Sequence, residues 1–291
     1  MATALDKLLL AIEVAAPLLF AAAYLKRSHT LAGQGRPVPA WRQLCFAAAL
    51  VLLVLTIGWP LEQPATELVL AHMAQHVLLA DIISLLFVLG LTGPLVQPVL
   101  AHRATRPLRH LTHPVVAISI FTFNLFLWHL PPLYQSVLDS PALHSLEHTL
   151  FLATGAILWM PLFGPLPKPA WFGKGAHVIY AAGIWLPGMV LANFLMWSGT
   201  VLYPDYEPTV RAAGIDPIAD QGIAGAILMT ECMLMALLLF GLVFMRWARE
   251  DSERQELLDL AHERGVELSP ERAERAVASG RGAELRARIE R

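Results

Sequence analysis

The chain alternates between long apolar runs and short polar breaks, and seven of the runs reach membrane-spanning length. A bilayer core takes roughly 20 consecutive apolar residues in a helix. Runs of this kind fall at about 5–25, 43–60, 67–90, 114–130, 143–163, 177–197 and 221–245. The first carries Lys7 and Glu13, and Lys7 can snorkel toward the interface. The breaks hold the usual punctuation: Gly33, Gly35 and Pro37; Pro60 and Pro64; Gly93 and Pro94; Pro131 and Pro132; Pro161, Gly164, Pro165 and Pro167; Pro204 and Pro208. The pattern predicts an all-α polytopic transmembrane helix bundle with seven spans and shows no internal repeat.

Basic residues give the bundle a direction. Lys26, Arg27, Arg36 and Arg42 follow the first run; Arg103, Arg106 and Arg109 follow the third; Lys168 and Lys174 follow the fifth; Arg246 and Arg249 follow the seventh. The alternate breaks are nearly bare: 61–66 and 131–142 hold no Lys or Arg, and 198–220 holds only Arg211. Cytoplasmic segments carry the excess of Lys and Arg. The alternation therefore predicts an outside N-terminus and a cytoplasmic C-terminus, which requires an odd number of spans. The opening MATALDKLLLAIEV lacks a basic n-region with a small-residue cleavage site and reads as a retained helix.

Composition agrees and adds a tail. Hydrophobic residues make up 56% of the chain and charged ones 15%, against about 25% charged in a soluble domain. Of the charged side chains, 10 Arg and 11 Asp/Glu crowd into residues 246–291. A membrane domain over 1–247 and a charged helical cytoplasmic tail over 248–291 are expected, the tail broken near Gly265, Ser269-Pro270 and residues 279–282. The tail reads as a solvated appendage or a docking element. The net charge of −2 selects no partner, and no basic patch with interleaved aromatics points to nucleic acid. Cys45 and Cys232 sit in separate apolar runs with no Cys-x-x-Cys, which argues against a disulfide framework. Nothing in the pattern sets an oligomeric state.

The chemistry concentrates at the outer ends of the third, fourth and fifth spans. With a rise of about 1.5 Å per residue, His72 and His76 lie roughly 8 and 14 Å into the third span. Trp128 and His129 close the fourth span, and His144 and His148 open the fifth. Each of the pairs His72/His76 and His144/His148 is spaced i, i+4, so each shares one helix face. One such histidine alone reads as an interfacial anchor; five at one depth on adjacent spans can converge on a metal. Ionisable groups at this depth tend to mark function. His29, His102, His110, His113 and His177 fall near the basic loops, and His262 in the tail.

Imidazole suits copper, zinc and iron. Met73, Met189, Met196, Met229, Met233 and Cys232 supply soft atoms nearby and lean toward copper, although methionine is also ordinary core filler. Three acids lie within spans. Glu147 can orient a neighbouring imidazole, and Glu231 can act as a proton carrier or ligand. Asp81 falls about 180° around its helix from His72 and cannot share a ligand shell with it. His144-Ser-Leu-Glu147-His148 also matches H-x-x-E-H, an inverted zinc-hydrolase pattern, but the second pair, His72-Met-Ala-Gln-His76, has no place in that chemistry.

The segments HMAQHVLL (72–79), LWHLPPLYQSVLDSPALHSLEHTLFLATGAILWMPLFGP (127–165) and LYPDYEPTVRAAGIDPIADQGIAGAILM (202–229) resemble the CtaG-type family of integral membrane cytochrome c oxidase assembly factors. The resemblance runs from about residue 60 to 247. It implies a multi-pass plasma-membrane protein needed to make active haem–copper oxidase, with a role in helping copper reach oxidase subunits. The matching positions are His72, His76, Trp128, His129, His144, Glu147, His148, Tyr203, Asp220 and Gln221. The tail lies outside the pattern.

Together these readings predict a non-enzymatic, metallochaperone-like assembly factor in the lipid bilayer. A copper ion is expected at His72, His76, His129, His144 and His148, supported by Glu147, Trp128, Tyr203, Asp220, Gln221 and Glu231. The segment 202–221 is expected to act as an outer lid, with Asp220 and Gln221 at the start of the seventh helix, where they can cap it or back the metal ligands. The alternatives are a bis-histidine haem protein, a zinc site and a copper transporter.

Overall fold

In the computed structural model, residues 4–58, 60–102, 110, 113–166, 168–278 and 281–290 are described. Helices dominate, and no strand occurs among the described residues. They are α1 (Ala4–Gly33), α2 (Ala40–Ile57), α3 (Glu62–Glu67), α4 (Val69–Gly90), α5 (Gly93–Ala101), α6 (Pro114–Trp128), α7 (Pro131–Asp139), α8 (Pro141–Phe163), α9 (Lys174–Trp197), α10 (Glu207–Ala212), α11 (Pro217–Glu263), α12 (Pro270–Ala278) and α13 (Gly282–Ile289). By their contacts they form two compact units, Met1–Met233 and Leu234–Arg291.

Five helices are long and apolar enough to cross a membrane: α2, α4, α8, the Gly175–Trp197 stretch of α9, and α11. The pair α6 and α7, bent by 69° at their junction, makes a sixth if counted as one span. The first predicted span lies on α1, a helix of 30 residues that is not among these candidates. Arg103, Arg106 and Arg109, on which part of the predicted orientation rests, lie outside the described residues.

Several breaks expected to be loops are helical. Pro131 and Pro132 begin α7, and Pro94 begins α5. Proline at the first helical positions loses no intrahelical hydrogen bond and brings a helical φ, so these residues start helices as well as end them. The last apolar run continues without a break into the charged region as α11.

In the first unit, α8 packs against α4 and α6, and α2 also packs along α4. Gly155 allows the closest approach. A Cβ there would overlap the Ala80 carbonyl and crowd Ser84 Oγ. The stretch of α4 it meets, Leu78–Ile83, is π-helical, and Ser84 Oγ bonds back to the Ala80 carbonyl. At the end of α4 remote from its histidines, Tyr24 stacks on Phe46 at 3.8 Å and donates to Gly90 O at 3.1 Å. Arg42 donates to Leu89 O at 2.9 Å, and Arg27 to Pro94 O at 3.0 Å. Tyr24 and Arg42 satisfy carbonyls that the C-terminus of α4 leaves open, and the Pro94 carbonyl is open because Pro98, four residues on in α5, has no N–H. Apolar side chains such as Leu44, Val51, Ile179 and Leu186 point outward from the spans, as lipid-facing positions do.

The second unit has its own small core of Leu257, Ala261, Val277, Leu285 and Ile289. Its helices α12 and α13 fall where the breaks in the tail sequence predict them.

Candidate metal centre

Two helix N-termini carry the histidines. On α8, the Ser140 hydroxyl caps the helix by accepting from Leu143 N at 3.3 Å, and Pro141 follows at the first turn. His144, Glu147 and His148 then fall within two turns. On α4, the free N–H groups of Val69 and Leu70 donate to the Asp220 carboxylate at 2.8 and 3.2 Å, which fixes the register of His72 and His76.

That contact corrects the expectation for Asp220. Pro217 starts α11 a turn earlier than predicted, and Asp216 caps it by accepting from Ile218 N and Ala219 N at 3.1 Å. Asp220 therefore sits inside α11 and caps α4 from across the bundle. Gln221 ties down the segment that precedes it. Its Nε2 donates to Ser198 Oγ at 2.8 Å, Leu195 O at 3.1 Å and Thr200 O at 3.2 Å, and its Oε1 accepts from Leu202 N at 2.8 Å.

The imidazoles meet. Ring centroids lie 4.4 Å apart for His72 and His76, 4.1 Å for His144 and His148, 5.1 Å for His72 and His144, and 6.2 Å for His76 and His148. All are buried, and Glu147 is fully so. Glu147 reaches across to α4, with Oε2 3.2 Å from His72 Nε2 and Oε1 3.3 Å from His76 Nε2. A carboxylate withdrawn from water needs such partners. Three triads each offer ligand atoms within 4.8 Å of one another: His72, His76 and His148; Glu62, His144 and His148; His72, His144 and Glu147.

His129 stands apart from these triads. Its Nδ1 donates to Leu125 O at 2.8 Å, and its ring lies 5.4 Å from that of His76. Trp128 is buried just before it at the end of α6. Glu231 lies outside the imidazole layer and lines a cavity further along α4.

The segment after α9 folds over the histidines. Tyr203 donates to His129 O at 3.1 Å and stacks on Tyr134 at 4.1 Å. Tyr206 places its hydroxyl 2.7 Å from His72 Nδ1 and 3.4 Å from Ala65 O. Thr209 donates to Glu67 O at 2.7 Å. Burial pushes the Tyr203 and Tyr206 phenols above their ordinary pKa, and the Glu147 charge adds to the shift. Both remain protonated donors.

Glu62, Tyr134 and Tyr206 were not singled out in the sequence. Glu62 Oε1 pairs with His144 Nδ1 at 3.2 Å, and its Oε2 accepts from Gln75 Nε2 at 3.1 Å. Burial alone would raise the Glu62 carboxyl; the bonds from His144 and Gln75 outweigh it and hold the group below the ordinary value. This contact stabilises at neutral pH and is lost as the pH falls through that lowered value. Tyr134 stacks on His72 at 4.8 Å. All three lie in short helical pieces that the prolines made look like loops.

The fold and site define a multi-helix protein of membrane-spanning character with a buried imidazole–carboxylate cluster under a tyrosine-bearing cover. The family described as cytochrome c oxidase caa3 assembly factor matches residues 18–250, and the chain belongs to it. An uncharacterized protein of Mycobacterium bovis is 22% identical over 258 residues, covering 81% of this chain and 38% of its own length. An uncharacterized protein of Mycobacterium leprae is 24% identical over 236 residues, covering 75% of this chain and 36% of its own. The chain thus spans well under half the length of these curated relatives. No solved structure matches.

Proposed function

We propose that this assembly factor binds a copper ion reversibly at the histidine cluster and hands it to an apo-oxidase subunit in the same plasma membrane. The chain spans seven times in this reading, with the cluster in the outer leaflet and the charged tail in the cytoplasm. The observation that carries the proposal is the convergence of His72, His76 and His148, whose ligand atoms lie within 4.8 Å of one another. Imidazole–metal bonds are about 2.0–2.1 Å, so a small side-chain adjustment closes three nitrogens on one ion. His148 Nε2 has no hydrogen-bond partner among the described residues. Leaving such a group buried costs about 1–3 kcal/mol, a cost that a bound ion removes.

The surrounding residues suit exchange. With no ion bound, Tyr206 donates to His72 Nδ1, and His72 Nε2–H donates to Glu147. When Nε2 is to hold a metal, its proton must leave, Nδ1 must carry one, and Tyr206 turns to donate to Ala65 O. Each tautomer has its partners, and the hydrogen bond on the second nitrogen sets which one is present. His72 carries one proton in both forms, on Nε2 or on Nδ1, so Glu147 stays a carboxylate and balances the charge of the ion. A donor set of imidazoles and carboxylates, without a thiolate cage, releases copper more readily than a closed sulfur site.

Replacing His72 and His148 together by Ala tests the reading. Copper measured by elemental analysis on the purified membrane-inserted protein should fall by about one equivalent, and oxidase maturation should fail. Unchanged copper stoichiometry refutes the site. A Soret band in the wild-type spectrum would favour the haem alternative.

A further inference from the structure

Below the imidazole layer is a cavity of about 30 Å³ between α4, α6, α8, α9 and α11, lined among others by Met73, His76, His129, Asp81, Glu231 and Cys232. His76 also belongs to the outer triad with His72 and His148, so one residue touches both places. Asp81 comes to this cavity through the π-helical stretch. Five residues along an undistorted α-helix, His76 and Asp81 would stand about 140° apart. The wider π turn, bonded i to i+5, narrows that angle, and both side chains line one space.

The donors here differ from those outside. Met73 and Cys232 supply a thioether and a thiol and are buried at 1% and 2% exposure. His129 is 6% exposed, and its Nδ1 is committed to Leu125 O. Its Nε2 therefore bears a lone pair, and it has no hydrogen-bond partner among the described residues. Asp81 and Glu231 interact electrostatically, and the Cys232 thiol sits beside Glu231. Gly188 leaves the sulfur room: a Cβ there would come within 2.8 Å of Cys232 Sγ.

We propose that this cavity is a second metal station, in which Cys232, Met73 and His129 bind a soft monovalent ion such as Cu(I) as it passes to or from the outer histidines. The inference rests on the outer cluster being a metal site and extends it inward. Thiol, thioether and imidazole together select a soft ion. Thiolate and thioether favour the reduced, monovalent state of copper. Cys232 binds as the thiolate, and its proton passes to the neighbouring Glu231 carboxylate. At 30 Å³, the space suits an ion or a water or two.

The test loads full-length protein in lipid nanodiscs with Ag(I), a redox-inert stand-in for Cu(I), and counts bound metal while X-ray absorption reads the neighbouring atoms. Wild type should bind two equivalents, one with sulfur neighbours. Cys232→Ser should lose one equivalent and the Ag–S shell, and the volume-conserving Met73→Leu should halve the sulfur count. The His72→Ala/His148→Ala protein should keep the sulfur-bound equivalent. Wild-type protein without an Ag–S shell, or Cys232→Ser with an unchanged count, overturns the station. Loss of the other equivalent in the double histidine variant would still support the outer site on its own.

Discussion

Histidine occurs in two settings in this chain, and the contrast is informative. His72, His76, His129, His144 and His148 are buried and in ring contact with one another. His29, His102, His110 and His262 are exposed, and His177 is only half-buried, with its Nδ1 donating to Gly173 O one turn back. The exposed imidazoles face water. A buried one must find partners, and here α11, α8 and the segment after α9 supply them: Asp220 holds α4, Ser140 caps α8, Glu147 reaches from α8 to α4, and Tyr206 closes over His72. Burial turns the same side chain into a positioned donor.

The largest expected effect breaks the buried set directly. His72→Ala with His148→Ala removes at least one nitrogen from each of the three triads, and the histidine-bound equivalent of metal measured by elemental analysis should disappear. The same pair of substitutions at His29 and His262 should leave metal content unchanged. Equal losses from both pairs would mean that burial and convergence confer nothing.

How much of this was legible in the sequence differs by element. The i, i+4 pairs announced themselves, because helical pitch alone puts His72 with His76 and His144 with His148. Glycine, serine and proline breaks in the tail also fall at the ends of α12 and α13. Partner assignments across the bundle were another matter. Asp220 was expected to cap its own helix or to back the metal ligands; Asp216-Pro217 is the better start signal for α11, and Asp220, a turn further on, caps α4 instead. Glu62, Tyr134 and Tyr206 sat among prolines that read as loop breakers and instead begin short helices. His129 belongs to the histidine pattern by sequence, yet the end of α6 turns it toward the inner cavity. The π stretch that carries Asp81 there has no signature in apolar periodicity.

A second, smaller break targets the residues that orient without ligating. Tyr206→Phe removes the hydroxyl from His72 Nδ1 and leaves the ring in place. Partners of this kind typically tune metal affinity by about 10–100-fold, and that range of weakening is expected in a competition titration. His72→Ala alone should weaken binding more, and a Tyr206→Phe change on top of it should add little, since the two act through one imidazole.

Asp220→Ala should act more weakly still, and through the backbone. It leaves Val69 N and Leu70 N without an acceptor, and losing a capping carboxylate costs about 0.5–2 kcal/mol. Thermal unfolding in detergent should start earlier, with amide exchange accelerated at the first turn of α4, while the spectroscopic signature of bound metal stays that of the wild type.

The smallest effect belongs to the peripheral histidines, and it sharpens the contrast most cleanly. His177→Ala deletes a local hydrogen bond to Gly173 O and a ring contact with Phe172 at the start of α9. Surface changes of this kind stay within about 0.5 kcal/mol. The unfolding midpoint and the metal content of that variant should both match the wild type. If His177→Ala lowered the bound metal, an imidazole outside the buried cluster would be a ligand, and burial would no longer separate the two populations.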